Sequence, residues 1–182
     1  MRAVAKAPPK KDDGQSALQV AIKSGNFEVA RVLMDKGADV NFIDSSDVNS
    51  WNVPVLHDAI RAAVFSARFG RNMALPGEPP DIEIMSTSEQ FDSAFGVLGR
   101  IIAEGADVNA KDSAGNPALM RAVLDARQVL DEPVLIELRE DLHRIFDLLL
   151  RAGADKEWVN PRTGDRLVDF TEGHPVRQFL PD

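Results

Sequence analysis

Gly105-Ala106-Asp107-Val108-Asn109-Ala110 has a near copy upstream, Gly37-Ala38-Asp39-Val40-Asn41, and a shorter one downstream, Gly153-Ala154-Asp155. Each copy follows a run of apolar residues at helical spacing, and glycine there supplies the left-handed residue that ends a helix. Three helix ends built alike mark a repeated unit. Working outward, four stretches alternate with these turns as helix starts. They are Gly14-Gln15-Ser16-Ala17-Leu18-Gln19-Val20-Ala21, Val53-Pro54-Val55-Leu56-His57-Asp58-Ala59, Gly115-Asn116-Pro117-Ala118-Leu119-Met120-Arg121-Ala122, and a worn Gly164-Asp165-Arg166-Leu167-Val168-Asp169-Phe170.

This alternation resembles the ankyrin repeat, whose unit of about 33 residues carries a Gly-x-Thr-Pro-Leu-His-x-Ala helix start. The resemblance spans roughly residues 13–180, apart from two insertions. It implies an all-α ankyrin-repeat solenoid of stacked helix-turn-helix units with β-hairpin fingers, used to hold other proteins. The chain divides into a flexible tail over 1–12 and one repeat domain over 13–182. Its units run over about 13–44, 45–112 and 113–162, closed by a short polar cap over 163–182. A cap is needed because each unit buries its apolar face only against its neighbours.

Unit one has standard proportions, with an inner helix around 16–24, a Gly25-Asn26 turn and an outer helix around 27–36. Val29, Val32 and Leu33 fall on one helical face and are expected in the core. Unit two breaks the rhythm. Leu56 to Gly105 spans 49 residues where Leu18 to Gly37 spans 19. A hidden further repeat is excluded, because Leu75-Pro76-Gly77-Glu78-Pro79-Pro80 falls where its inner helix would lie and prolines forbid it. The spacing instead predicts one helix from Leu56 to Phe69, a loop over 70–85, and a new helix capped by Ser86 and Glu89. Within the loop, Asp81-Ile82-Glu83-Ile84-Met85 alternates as a short strand does. In unit three, Asp131-Glu132-Pro133 reads as the capped start of a long outer helix ending at Arg151. The lengthened helices of units two and three should form a ridge opposite the fingers. In the cap, Val168 and Phe170 are expected to pack inward.

The composition limits the function classes. With 182 residues, no cysteine and a net charge of −8, the chain has no thiolate zinc site, and no electrostatic footprint for nucleic acid. No apolar run reaches the length of a membrane span. The expected location is the cytoplasm, or the periplasm or exterior if a leader preceded Met1. Of the three histidines, His57 takes the position at which ankyrin members bond a neighbouring loop, and His143 and His174 have no chelating neighbours in sequence. Asp81 and Glu83 lack a partner histidine. No catalytic residue, metal ligand or cofactor site is predicted, and the chain is expected to be a monomer and not an enzyme.

Binding positions follow from the resemblance and from departures from it. The resemblance implies contacts from Ile43, Lys111, Ser113 and Asn116 on the fingers and from Lys23, Arg61, Leu124 and Asp125 on the inner helices. The first finger is enlarged and carries Trp51, a residue type enriched at interface hot spots. Trp51 either anchors a partner or folds back on Val53 and Val55. Trp158 and Arg162 in the third finger are placed beside the concave groove. Met73, Leu75, Ile82, Ile84 and Met85 are costly to leave in water, so the 70–85 loop either packs on the lengthened helices, contacts a partner or is disordered. The expected partner is another protein, in the favoured reading an enzyme with a basic surface that this chain inhibits or to which it confers immunity. The other reading is an adaptor.

Overall fold

The computed structural model describes residues 14–45, 50–130 and 134–181. Six helices pair into three units. They are α1 (Ala17–Lys23) with α2 (Phe27–Asp35), α3 (Val55–Phe65) with α4 (Ser88–Ala103), and α5 (Ala118–Ala126) with α6 (Ile136–Arg151). Two 3-10 helices, Leu167–Phe170 and Pro175–Phe179, close the C-terminal end. The chain is therefore a helical solenoid, with one small sheet inserted between α3 and α4.

Local chemistry starts and stops the helices. Ser16 and Gln19 form a reciprocal capping box at α1, and Asn26 caps α2. At α4 the box is made by Thr87 and Gln90 and not by Ser86 and Glu89, one residue later than expected. Gly37, Gly105 and Gly153 all adopt positive φ, at 78°, 93° and 88°, and so end α2, α4 and α6 alike. The proposed Asp131 cap and Pro133 first turn lie outside the described residues, as do the 1–12 tail and residues 46–49 of the first finger. The described part of the last long helix starts at Ile136, with Leu135 at the cap position.

Asparagine side chains join the units. The Asn41 side chain donates to Gly105 O at 3.0 Å and accepts from Asp107 N at 2.8 Å. Asn109 repeats this one unit on, donating to Gly153 O at 3.1 Å and accepting from Asp155 N at 2.9 Å. Asp39, Asp107 and Asp155 each accept from the backbone two residues on, which fixes the turn in which the next asparagine, or Glu157, sits.

Units two and three are also tied through the lengthened outer helices. Arg144 of α6 pairs with Asp92 of α4 at 2.8 Å, and its guanidinium lies 4.5 Å from the Phe95 ring centroid and 4.9 Å from that of Phe91. The expected ridge is formed by these two helices. The inner helix α3 is shorter than expected, stopping at Phe65 where Ser66 and Ala67 turn the chain toward the sheet.

Two core assignments change. Val29 and Val32 are exposed, and Ala30 and Met34 are the α2 residues that pack inward. In the cap, Val168 is exposed and Phe170 half-buried. Leu167, Val176 and Phe179 fill the interior, with Phe179 stacked on Phe146 at 5.4 Å. A 3-10 turn brings every third residue onto one line, so Leu167 and Phe170 share a face that Val168 does not.

Replacing Asn109 with alanine removes two hydrogen bonds between units and should destabilise the fold by about 1–2 kcal/mol. Urea unfolding checks this, with a lower midpoint and an unchanged slope expected.

Candidate protein-binding surface

The loop expected over 70–85 is an ordered hairpin. Strands β1 (Gly70–Asn72) and β2 (Ile82–Ile84) pair antiparallel, with Gly70 opposite Ile84 and Asn72 opposite Ile82. The alternation read at 81–85 is thus a strand, and its partner at 70–72 carried no such pattern. Beyond the strands, Asn72 Oδ1 accepts from both Ala74 N and Asp81 N at 3.0 Å, and Met73 N donates to Asp81 O at 2.8 Å. Glu78 N donates to Leu75 O across a turn at Gly77. The tip is therefore bonded to itself, and it holds Met73 and Leu75 in solvent, Leu75 at 67% exposure. Ile84 is exposed and Ile82 half-buried.

Two contacts fix the base of the hairpin. The carboxylate of Asp141 on α6 is fully buried and accepts from Arg68 N, Arg68 Nε and Arg68 Nη2, at 3.0, 3.0 and 2.8 Å. This bidentate pairing raises the Arg68 pKa and leaves no lone carboxylate in the interior. At Gly70, a Cβ would lie 2.7 Å from Ile82 Cγ2 and 2.9 Å from Leu135 Cδ1, so a larger residue would force these side chains to shift. Neither contact was foreseen. Arg68 and Asp141 are too far apart in sequence for any periodicity to join them.

The fingers lie on the opposite edge and are linked in series. Ser113 N donates to Asn52 O at 3.0 Å, and Arg162 Nη2 donates to Ser113 O at 3.0 Å. Trp51 is 60% exposed, and Ile43 and Lys111 are exposed as well. Asn116 is half-buried and donates to Asp112 within its own finger. Trp158 is not a groove residue. It is 3% exposed, its Nε1 donates to Gly115 O at 3.1 Å, and its ring packs toward Phe170. The position that Ala110 fills with a methyl is filled here by an indole, which seals the last unit against the cap.

On the concave side, Ile22, Lys23, Asp58, Arg61, Ala62 and Phe65 line a shallow groove of about 350 Å³. Arg61 is exposed, lies 5.1 Å from the Phe65 centroid and reaches Asp125 at 3.5 Å. Asp125 itself is fully buried and held by Arg121 through a two-pronged pairing, so it is not a contact residue as expected. Leu124 and Ser113 are half-buried and Lys23 exposed.

His57 Nε2 donates to Ala110 O at 3.2 Å, the backbone bond implied by the resemblance. That tautomer leaves Nδ1 as a buried acceptor without a partner among the described residues. His174 Nδ1 accepts from Val176 N, and His143 packs edge-on against Phe179. Among the described residues no cluster of His, Asp and Glu could hold a metal ion, and no described helix is long and apolar enough to cross a membrane.

Residues 13–45 match the family model for the ankyrin repeat. That stretch carries an ankyrin repeat, and the stacked helix pairs have the ankyrin-repeat fold. The chain is 27% identical over 124 residues to the B-cell lymphoma 3 protein homolog of Mus musculus, covering 65% of this chain and 26% of that one. In structure it is similar to the ankyrin repeat domain of Bcl-3, described as a unique member of the IkappaB protein family. The TM-score is 0.55 at 19% identity, over 92% of this chain and 51% of the other. The chain thus spans about half the length of the Bcl-3 repeat domain. Ankyrin repeats are protein–protein interaction modules, and the ankyrin fold supplies the fingers and groove of this chain.

Arg68→Ala should leave Asp141 buried without a partner and cost about 3 kcal/mol in urea unfolding. Titration gives a second expectation. Burial raises the Asp58 carboxyl from 3.8 to about 6, against the pull of Lys23 and of the Gln19 hydrogen bond. Burial lowers His57 from 6.5 to about 4. The Asp58 contribution to stability is complete below 3.8 and is lost as pH rises through 6. The His57 contribution is present above 6.5 and is lost as pH falls through 4, so the two oppose each other between those values. Asp58→Asn should therefore stabilise the fold at pH 7, on the order of 2 kcal/mol, and lose that gain on acidification. Thermal melts at neutral and acidic pH check it.

Proposed function

We propose that this chain is a non-enzymatic partner protein that binds and inhibits, or confers immunity against, an enzyme. The observation that carries the reading is the self-bonded hairpin over 70–84, anchored at its base by Arg68–Asp141 and projecting Met73 and Leu75 into solvent. An apolar tip already held in one conformation loses little entropy on entering a cleft, so most of its burial is available as affinity. A net charge of −8 suits a partner with a basic surface around that cleft. Trp51 on the first finger supplies a second anchor, on the other edge of the solenoid.

The concave groove favours a second reading, an adaptor that recruits a peptide. Its apolar floor at Ile22, Ala62 and Phe65 is bordered by Lys23, Arg61 and Asp58. That arrangement suits an extended segment whose apolar side chain fills the floor.

The test is capture from the source lysate by the wild-type protein, by Leu75→Asp and by a chain lacking 73–85. One retained enzyme, lost on both variants and inhibited on titration with wild type, supports the inhibitor reading. Retention that is indifferent to the hairpin but lost on Arg61→Glu moves the function to the groove and the adaptor. With the partner in hand, Trp51→Ala should weaken binding by about 2 kcal/mol or more, and an unchanged dissociation constant would remove Trp51 from the interface.

A further inference from the structure

Aligned on their turn glycines, the three outer helices show how each unit packs on the one before it. Val29 corresponds to Val97 and Ile145, and Leu33 to Ile101 and Leu149; all four counterparts are buried. On the inner helices, Val20 corresponds to Asp58, which is buried and receives a hydrogen bond from Gln19 of the preceding unit. In unit one the same face is open. Val20, Val29 and Val32 are 51%, 44% and 54% exposed, and Leu33 is half-buried. An uncovered outer face of a repeat is ordinarily polar, and among the described residues this one carries valines that nothing covers.

We propose that this face is a dimer interface, occupied by the same face of a second copy of this chain. Charge selects that occupant. On α2, Glu28 and Lys36 are exposed at equal distances on either side of Val32. Two α2 helices packed antiparallel about a two-fold axis at Val32 bring Glu28 of each copy against Lys36 of the other, twice. Among the described residues Lys36 has no ion-pair partner, and Glu28 pairs only with Arg31 of its own helix. The two-fold arrangement is also the one the ends permit. The C-terminal end is closed by Phe179 stacked on Phe146, so copies cannot stack head to tail there. A closed two-fold dimer is the commonest outcome of such a self-complementary face. It replaces the monomer expected from sequence, and it leaves the hairpin and fingers accessible.

Sedimentation equilibrium of the full chain from about 1 µM to 1 mM tests this, since weak to moderate dimers dissociate in that range. The expected limiting mass is twice 19.9 kDa. Val32→Glu, which sets two carboxylates facing on the axis, should raise the dissociation constant about a hundredfold, and Lys36→Glu alone about tenfold. The double exchange Glu28→Lys with Lys36→Glu should restore it. Circular dichroism on each variant confirms that these exposed positions leave the fold intact. A monomer at all concentrations, association beyond two copies, indifference to Val32→Glu, or failure of the double exchange each overturns the proposal. A chain beginning at Gly14 that dimerises where the full chain does not would assign the face to residues 1–13 and also overturn it.

Discussion

An asparagine amide in one turn, donating to the glycine carbonyl and accepting from the aspartate amide of the following unit's turn, is the interaction on which the stack depends. Asn41 and Asn109 each complete both halves of this clamp, and each sits in a turn opened by a left-handed glycine and fixed by an aspartate. The glycine sets where the helix ends, the aspartate sets the path of the chain, and the asparagine then sets the distance to the next unit. Apolar helix faces supply most of the stabilisation but tolerate sliding; directional bonds at a fixed register do not. Where the third turn has Glu157 in place of asparagine, the clamp is absent and the chain passes into a cap built on Trp158 and Phe179.

Against this regular frame, the irregular parts are held by charge. Arg68 and Arg144 both run between unit two and unit three, one beneath the hairpin and one across the ridge. The first satisfies a buried carboxylate; the second covers two stacked phenylalanine rings that would otherwise face water. An insertion of this size costs little in chain entropy, since loop closure grows slowly with length. What it requires is a firm base, and Arg68 with the bare Cα of Gly70 supplies one.

The fold was legible because its signals are local: a glycine after a helix, an asparagine two residues beyond the aspartate, a Pro before Leu56 and Leu119. Where the reading went astray, the deciding partner was far away. Val29 and Val32 have the spacing of core residues, yet burial of that face in units two and three comes from the unit before, and no described residue covers it in unit one. Trp158 and Asp125 occupy positions that usually face a partner. The indole turned inward because its N–H bonds the Gly115 carbonyl of the preceding finger, and the carboxylate because Arg121 lies one helical turn before it. The hairpin was half visible, in the alternation of β2; β1, with Gly70, Arg71 and Asn72, has no apolar pattern at all. Of the expected contact residues, Ile43, Trp51, Arg61, Met73, Leu75, Ile84, Lys111 and Arg162 are exposed. They fall on two opposite edges and a groove, which a linear reading cannot separate.

Repeat arrays lengthen over generations by duplicating a unit in place, and the cross-ties of Arg68 and Arg144 bear on where this chain could do so. A plain unit lacking these residues, set between the second and third, would part Arg68 from Asp141 and Arg144 from Asp92 at one stroke, leaving a buried carboxylate behind. The junction between the second and third units, with the hairpin it anchors, therefore behaves as one block, whereas the junction between the first and second is held by an asparagine clamp of the repeating kind.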